Sequence, residues 1–201
     1  MSNPIFYIVD VFAEKKFAGN QLAVFRNCGA LSGDDMQRIA METNFSETTF
    51  ILSDSMRDGG FDVRIFTPIE ELQFAGHPTL GTAYVIRHEI LGGAPEQITL
   101  NLKVGRIPVT FESSGADAVC RMRQIEPEFR ETLDAGAVAS VLGIDAGDID
   151  TRFPVQEVST GLPHILVPLK SLDALKRACA DRSKYFNLIN GRWAQAVMIF
   201  C

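Results

Sequence analysis

The chain has 201 residues, 46% of them hydrophobic and 22% charged, which is enough apolar material for a sizeable core in one large or two small domains. Nineteen basic against twenty-five acidic residues give a net charge of -6, with no Lys/Arg-rich run, so no nucleic-acid partner is expected. Its longest apolar runs fall far short of the roughly 20 residues that span a bilayer, and Met1-Ser-Asn-Pro-Ile-Phe-Tyr-Ile does not read as a secretory signal; a cytoplasmic location without a membrane partner is the expectation.

Ile5 to Phe12 alternates and is rich in β-branched and aromatic residues, and Gln21 to Arg26 repeats that character beyond the Gly19-Asn20 turn signal; both read as strands. Ser32 as N-cap, acids in the first turn, and Met36, Ile39, Ala40 and Thr43 at helical spacing predict a short amphipathic helix. Thr48 to Leu52 and Phe61 to Thr67 return to strand character around Asp58-Gly59-Gly60. Pro78 to Ile90 reads as a second helix, with Pro at the first helical position, and its small Gly81 and Ala83 suggest close packing inside a curved sheet. Ile98 to Leu102, Ile107 to Glu112 and Val119 to Ile125 read as further strands.

The pattern changes near Glu126-Pro127-Glu128, which places a domain boundary between 1–126 and 127–201. Beyond it come a helix at Leu133 to Leu142 ending at Gly143, strands at Val155 to Ser159 and His164 to Leu169, a helix at Ser171 to Ala180, and a strand at Ala194 to Phe200. A glycine turn, strand, capped helix and strand thus recur, from Gly19 in the front half and from Gly161 in the back half. Such a repeat usually means two similarly folded lobes, and a chance recurrence of common elements is the competing explanation. On the repeat reading, the second lobe lacks counterparts of Phe61 to Glu112 and ends on an apolar strand open to association.

Glu47 stands where a helix hands over to an apolar strand. Partial burial there would raise its pKa toward useful general-base values, whereas a surface Glu opening a strand is the plainer reading. His77 lies at the start of the Pro78 helix, beside Gly76, where free N–H groups and the positive dipole end can hold a substrate carboxylate. Its imidazole could relay a proton or merely cap its own helix. His88 and His164 have no such context, and Glu70-Glu71 reads as a solvated turn. Cys28, Cys120, Cys179 and Cys201 are widely spaced and read as buried free thiols; neither a metal cluster nor a nucleotide-binding glycine loop is expected.

Val9-Asp-Val-Phe with Phe17-Ala-Gly-Asn-Gln-Leu-Ala-Val, Asn44-Phe-Ser-Glu-Thr-Thr-Phe, Phe74-Ala-Gly-His-Pro-Thr-Leu-Gly and Ser159-Thr-Gly-Leu-Pro-His together resemble the phenazine-biosynthesis isomerase-like (PhzF) family over essentially the whole chain. That resemblance implies an α+β, diaminopimelate-epimerase-like fold of two pseudo-symmetric lobes, each a curved sheet or open barrel around a central helix. It also implies cofactor-independent isomerisation of a small carboxylate-bearing substrate, with Glu47 as acid/base and Gly76 and His77 lining the substrate site. A homodimer is the expected assembly. Family members continue past the point matching Cys201 through an acidic-Pro-x-Thr-Gly-Ser-Ala segment that contributes to the site, so the expected alternative for this chain is a non-catalytic binding protein that retains the fold. The two-thiol mechanism of the related epimerases and proline racemases is disfavoured, because Ala75 stands where the first thiol would fall.

Overall fold

The computed structural model describes residues 4–93, 95–112 and 119–201. They form two compact units, Met1–Gln124 and Ile125–Cys201.

In the first unit, β1 (Ile5–Val11) and β2 (Asn20–Arg26) pair antiparallel, from Ile5 opposite Arg26 to Val11 opposite Asn20. The chain then crosses over through α1 (Gly33–Thr43) so that β3 (Thr48–Ile51) lies parallel to β2. Ser32 caps α1 by accepting from the Asp35 N–H at 3.1 Å, and Asn44 closes it in a left-handed conformation with φ 55°. β4 (Phe61–Phe66), the short β5 (Glu71–Leu72), β6 (Gln97–Leu102), β7 (Gly105–Phe111) and β8 (Cys120–Met122) complete an eight-stranded sheet.

The sheet curls around α2 (Gly76–Val85), which continues as a π-helical turn over Ile86–Ile90. An amphipathic helix shows one apolar face, but α2 buries His77, Pro78, Thr79, Gly81, Thr82, Ala83 and Val85, as a helix enclosed on all sides must. Gly81 permits the close approach: a Cβ there would lie 2.7 Å from Leu22 Cδ2 and 2.8 Å from Val11 Cγ2. The buried hydroxyls of Thr49 and Thr82 satisfy each other at 2.8 Å.

Strand alternation divides β3 between two cores. Ile51 joins Leu22, Val24, Phe61, Ile65 and Ala83 on the α2 face, while Phe50 faces α1 with Cys28, Met36, Ala40 and Phe66. Phe50 stacks on Phe25 at 5.3 Å and meets the edge of Phe66 at 5.5 Å.

The second unit holds a four-stranded sheet in the order β12-β11-β10-β9, made of β9 (Glu128–Thr132), β10 (Gln156–Ser159), β11 (Pro163–Pro168) and β12 (Ala196–Phe200). Its helices are α3 (Ala135–Leu142), α4 (Leu172–Arg177) and α5 (Arg182–Ile189). Val138, Leu142, Ile149, Ile165, Val167 and Ile189 form its core. β10 and β11 pair antiparallel and β12 returns parallel to β11, the pattern of β1, β2 and β3 in the first unit. The repeat read from the glycine turns is therefore a repeat of topology.

Four expectations need correction. Helix α2 begins two residues earlier than Pro78, at Gly76, so Pro78 occupies the third helical position, where an N–H still has no intrahelical partner. Glu71 is not a solvated turn residue: its side chain is 14% exposed and bridges Arg64 at 2.7 Å and Lys103 at 2.6 Å, and the Arg64 hydrogen bonds hold its carboxyl below the usual range. Strand β9 and helix α5 occupy stretches without a strand or helix assignment from the sequence. Of the four thiols only Cys28 is buried, with burial pushing its pKa up to about 12; Cys120 is half-buried, and Cys179 and Cys201 are exposed.

Candidate active site

Three turns of backbone deliver three side chains to one place. Asn44, with its left-handed φ, ends α1 and sends the chain toward β3, so that Glu47 immediately precedes the strand. Gly19, with φ 85°, ends the β1–β2 connection, and a Cβ there would sit 2.3 Å from the Val11 carbonyl oxygen. That glycine lets Asn20 open β2 opposite Val11. Helix α2 supplies His77 as its second residue.

His77 Nε2 lies 3.4 Å from Glu47 Oε2, with the two side chains 9% and 18% exposed. Both atoms are buried, yet the contact does not have hydrogen-bond geometry and neither atom has another partner. On the opposite side of the ring, His77 Nδ1 meets Asn20 Nδ2 at 3.1 Å. Two titratable groups thus present polar atoms to the same buried point without a hydrogen bond between them.

Burial pushes the Glu47 carboxyl above its usual 4.5. Burial also pulls the His77 imidazole below its usual 6.5, with the Gln21 backbone carbonyl opposing that shift by favouring the protonated ring. Both shifts disfavour charge, the signature of desolvation rather than of ion pairing. Ala75 caps α2 without a side-chain hydrogen bond, leaving the first N–H groups of the helix, those of Gly76 and His77, without a capping side chain. A Cβ on Gly76 would meet only Met122 Cε, at 3.5 Å.

The structure thus brings Glu47, Gly76 and His77 together within the first unit. Asn20 escaped the sequence reading because an Asn beside a turn glycine is ordinary turn chemistry; only its contact with His77 sets it apart. Replacing Gly19 with Ala should cost on the order of 1–3 kcal/mol, since the new Cβ must meet a carbonyl at a positive φ. Thermal unfolding would show this as a lowered Tm, and an unchanged Tm would mean the turn tolerates a side chain.

A family model described as phenazine biosynthesis-like protein (PhzC-PhzF) matches residues 9–197. The chain belongs to this family. Over 177 residues it is 36% identical to the trans-2,3-dihydro-3-hydroxyanthranilate isomerase of Pseudomonas aeruginosa, covering 88% of this chain and 61% of that relative. The solved "Predicted Epimerase" of the same organism superposes with a TM-score of 0.85 at 34% identity, over 97% of this chain and 69% of that one. A probable proline racemase from Agrobacterium radiobacter, at 12% identity and TM-score 0.53 over 91% of this chain and 56% of that one, shares the fold alone. These likenesses and the curled sheet around α2 establish the α+β, diaminopimelate-epimerase-like fold. The chain spans about three-fifths of the length of the curated PhzF relatives it matches.

Within the PhzF-type chain, Ala75 carries no thiol at the helix junction. Among the described residues, no three His, Cys, Asp or Glu side chains group to hold a metal ion, and no helix is long and apolar enough to cross a membrane.

Proposed function

We propose that this chain carries the acid/base centre of a PhzF-type isomerase that acts without a cofactor on a small carboxylate-bearing substrate. One observation carries the reading: a half-buried carboxylate and a buried imidazole face each other at 3.4 Å, with both facing atoms unsatisfied, at an uncapped helix N-terminus. Ionised Glu47 removes a proton from a substrate carbon, and the electron pair of that C–H bond enters the substrate's π system as a double bond shifts. The proton returns at a second carbon, so nothing is oxidised or reduced. The N–H groups of Gly76 and His77, at the positive end of α2, suit a substrate carboxylate. The relative's activity toward trans-2,3-dihydro-3-hydroxyanthranilate makes that compound the first substrate to test.

The test is conversion of that compound, and of other small cyclic unsaturated carboxylates, by the protein without added cofactor in D2O. Isomerised product carrying solvent deuterium supports the reading. Binding without conversion by any of them would favour a binding protein that retains the fold.

The pH dependence has a definite sign. Glu47 accepts a proton only when ionised, and burial raises its pKa, so kcat/KM should climb with pH through a midpoint above 4.5. His77, with its pKa lowered from 6.5, is neutral at pH 7. An acid limb centred at or below 4.5 would show that Glu47 is not the titrating base.

A further inference from the structure

A neutral imidazole carries one proton, and whichever nitrogen holds it decides what the ring offers at each end. Three groups face the His77 ring: the Asn20 amide at Nδ1, Glu47 Oε2 beyond Nε2, and the Gln21 carbonyl. The amide N–H of Asn20 is a donor only, so its contact at 3.1 Å requires a lone pair on Nδ1. The remaining proton then sits on Nε2, the nitrogen aimed at Glu47 and otherwise unsatisfied.

We propose that Asn20 is a positioning residue that sets the tautomer of His77, holding the proton on Nε2 so that the ring presents an N–H toward Glu47 and toward whatever binds beside it. The backbone supports this assignment. Asn20 is the first residue of β2, locked opposite Val11 in the sheet, and the positive φ of Gly19 fixes how the chain enters the strand. The backbone that carries the amide is therefore held by strand pairing. With Nδ1 accepting from Asn20, the neutral ring presents Nε2–H to the site as a hydrogen-bond donor, and a second proton can enter only at Nδ1, once Asn20 turns its amide away. The mechanistic consequence rests on the isomerase reading, but the tautomer itself does not.

The experiment is long-range 1H–15N correlation NMR on protein with 15N-labelled histidine, using His88→Gln and His164→Gln variants to identify the His77 signals. In the native protein the His77 pattern should be that of the Nε2–H form. Asn20→Asp, nearly the same shape but only an acceptor when ionised, should move the proton to Nδ1 and raise the pH at which His77 titrates. Asn20→Ala should leave a mixture of the two forms. An Nδ1–H pattern in the native protein, or the same tautomer in Asn20→Asp as in the native protein, would overturn the proposal. Turnover supplies a separate readout: Asn20→Asp should lower kcat at least about tenfold with KM little changed, because the misplaced proton removes orientation rather than binding. If no compound is turned over by any form while the tautomer shift is seen, the isomerase reading fails and the positioning role stands.

Discussion

Glu47→Gln should lower turnover by roughly two to four orders of magnitude, the range that a positioned acid/base contributes. The substitution keeps the shape of the side chain and the extended start of β3, so substrate affinity should change little. Stability should move the other way. A carboxyl whose folded pKa lies above its unfolded value contributes stability that is fully present below the unfolded pKa and lost as pH rises through the folded one. At pH 7 an ionised Glu47 is therefore a net burden on the fold, and Gln relieves it. Tm should be unchanged or higher while kcat collapses, the combination expected when a strained group is kept for activity. A lowered Tm with retained turnover would make Glu47 a structural residue.

Phe50→Ala should destabilise the protein by about 3–5 kcal/mol, the cost of deleting a fully buried aromatic ring and leaving its cavity. Phe50 is 0% exposed and forms the middle of a Phe25, Phe50, Phe66 cluster beneath α1. The effect should reach the site as well, because Phe50 holds β3 from one face while Thr49 is tied to Thr82 of α2 from the other. Urea unfolding would measure the loss directly, and a change under 1 kcal/mol would mean the cluster collapses to fill the space.

Much of the fold was legible because its strands carry the right residues at the right period. β4 and β7 alternate buried with less buried residues, β1 is rich in β-branched and aromatic residues, β2 carries a continuous apolar run, and α1 announces itself through Ser32, its acids and its apolar spacing. α2 was legible for a different reason, its small residues, although Pro78 signals a start two residues late, since Pro suits the third helical position as well as the first. β9 gave no signal, since all five of its residues are exposed and no apolar face marks it. α5 carries a proper N-cap in Asp181 but buries only Ile189, which leaves its periodicity faint. Glu71 looked solvated because its partners reach it only through strand pairing, Arg64 from β4 and Lys103 from 32 positions along the chain.

At the site, local sequence placed Glu47 and His77 at element junctions. Nothing local could show that the two would face each other, since that follows from β3 lying parallel to β2 and from α2 running through the curl of the sheet. Asn20 lay further out of reach. Its role depends on a single contact across 57 positions of chain, and an asparagine beside a glycine gives no hint of it.

The most direct test of the buried Glu47–His77 pair is a titration of the glutamate side-chain carboxyls by 13C NMR, with Glu47→Gln identifying the Glu47 signal. One carboxyl titrating clearly above 4.5, absent from Glu47→Gln, is the expected result, and His77 should titrate below 6.5 in the same sample. A Glu47 carboxyl that titrates at 4.5 or lower would mean that the site is open to water or ion-paired, and the desolvated acid/base pair would have to be abandoned.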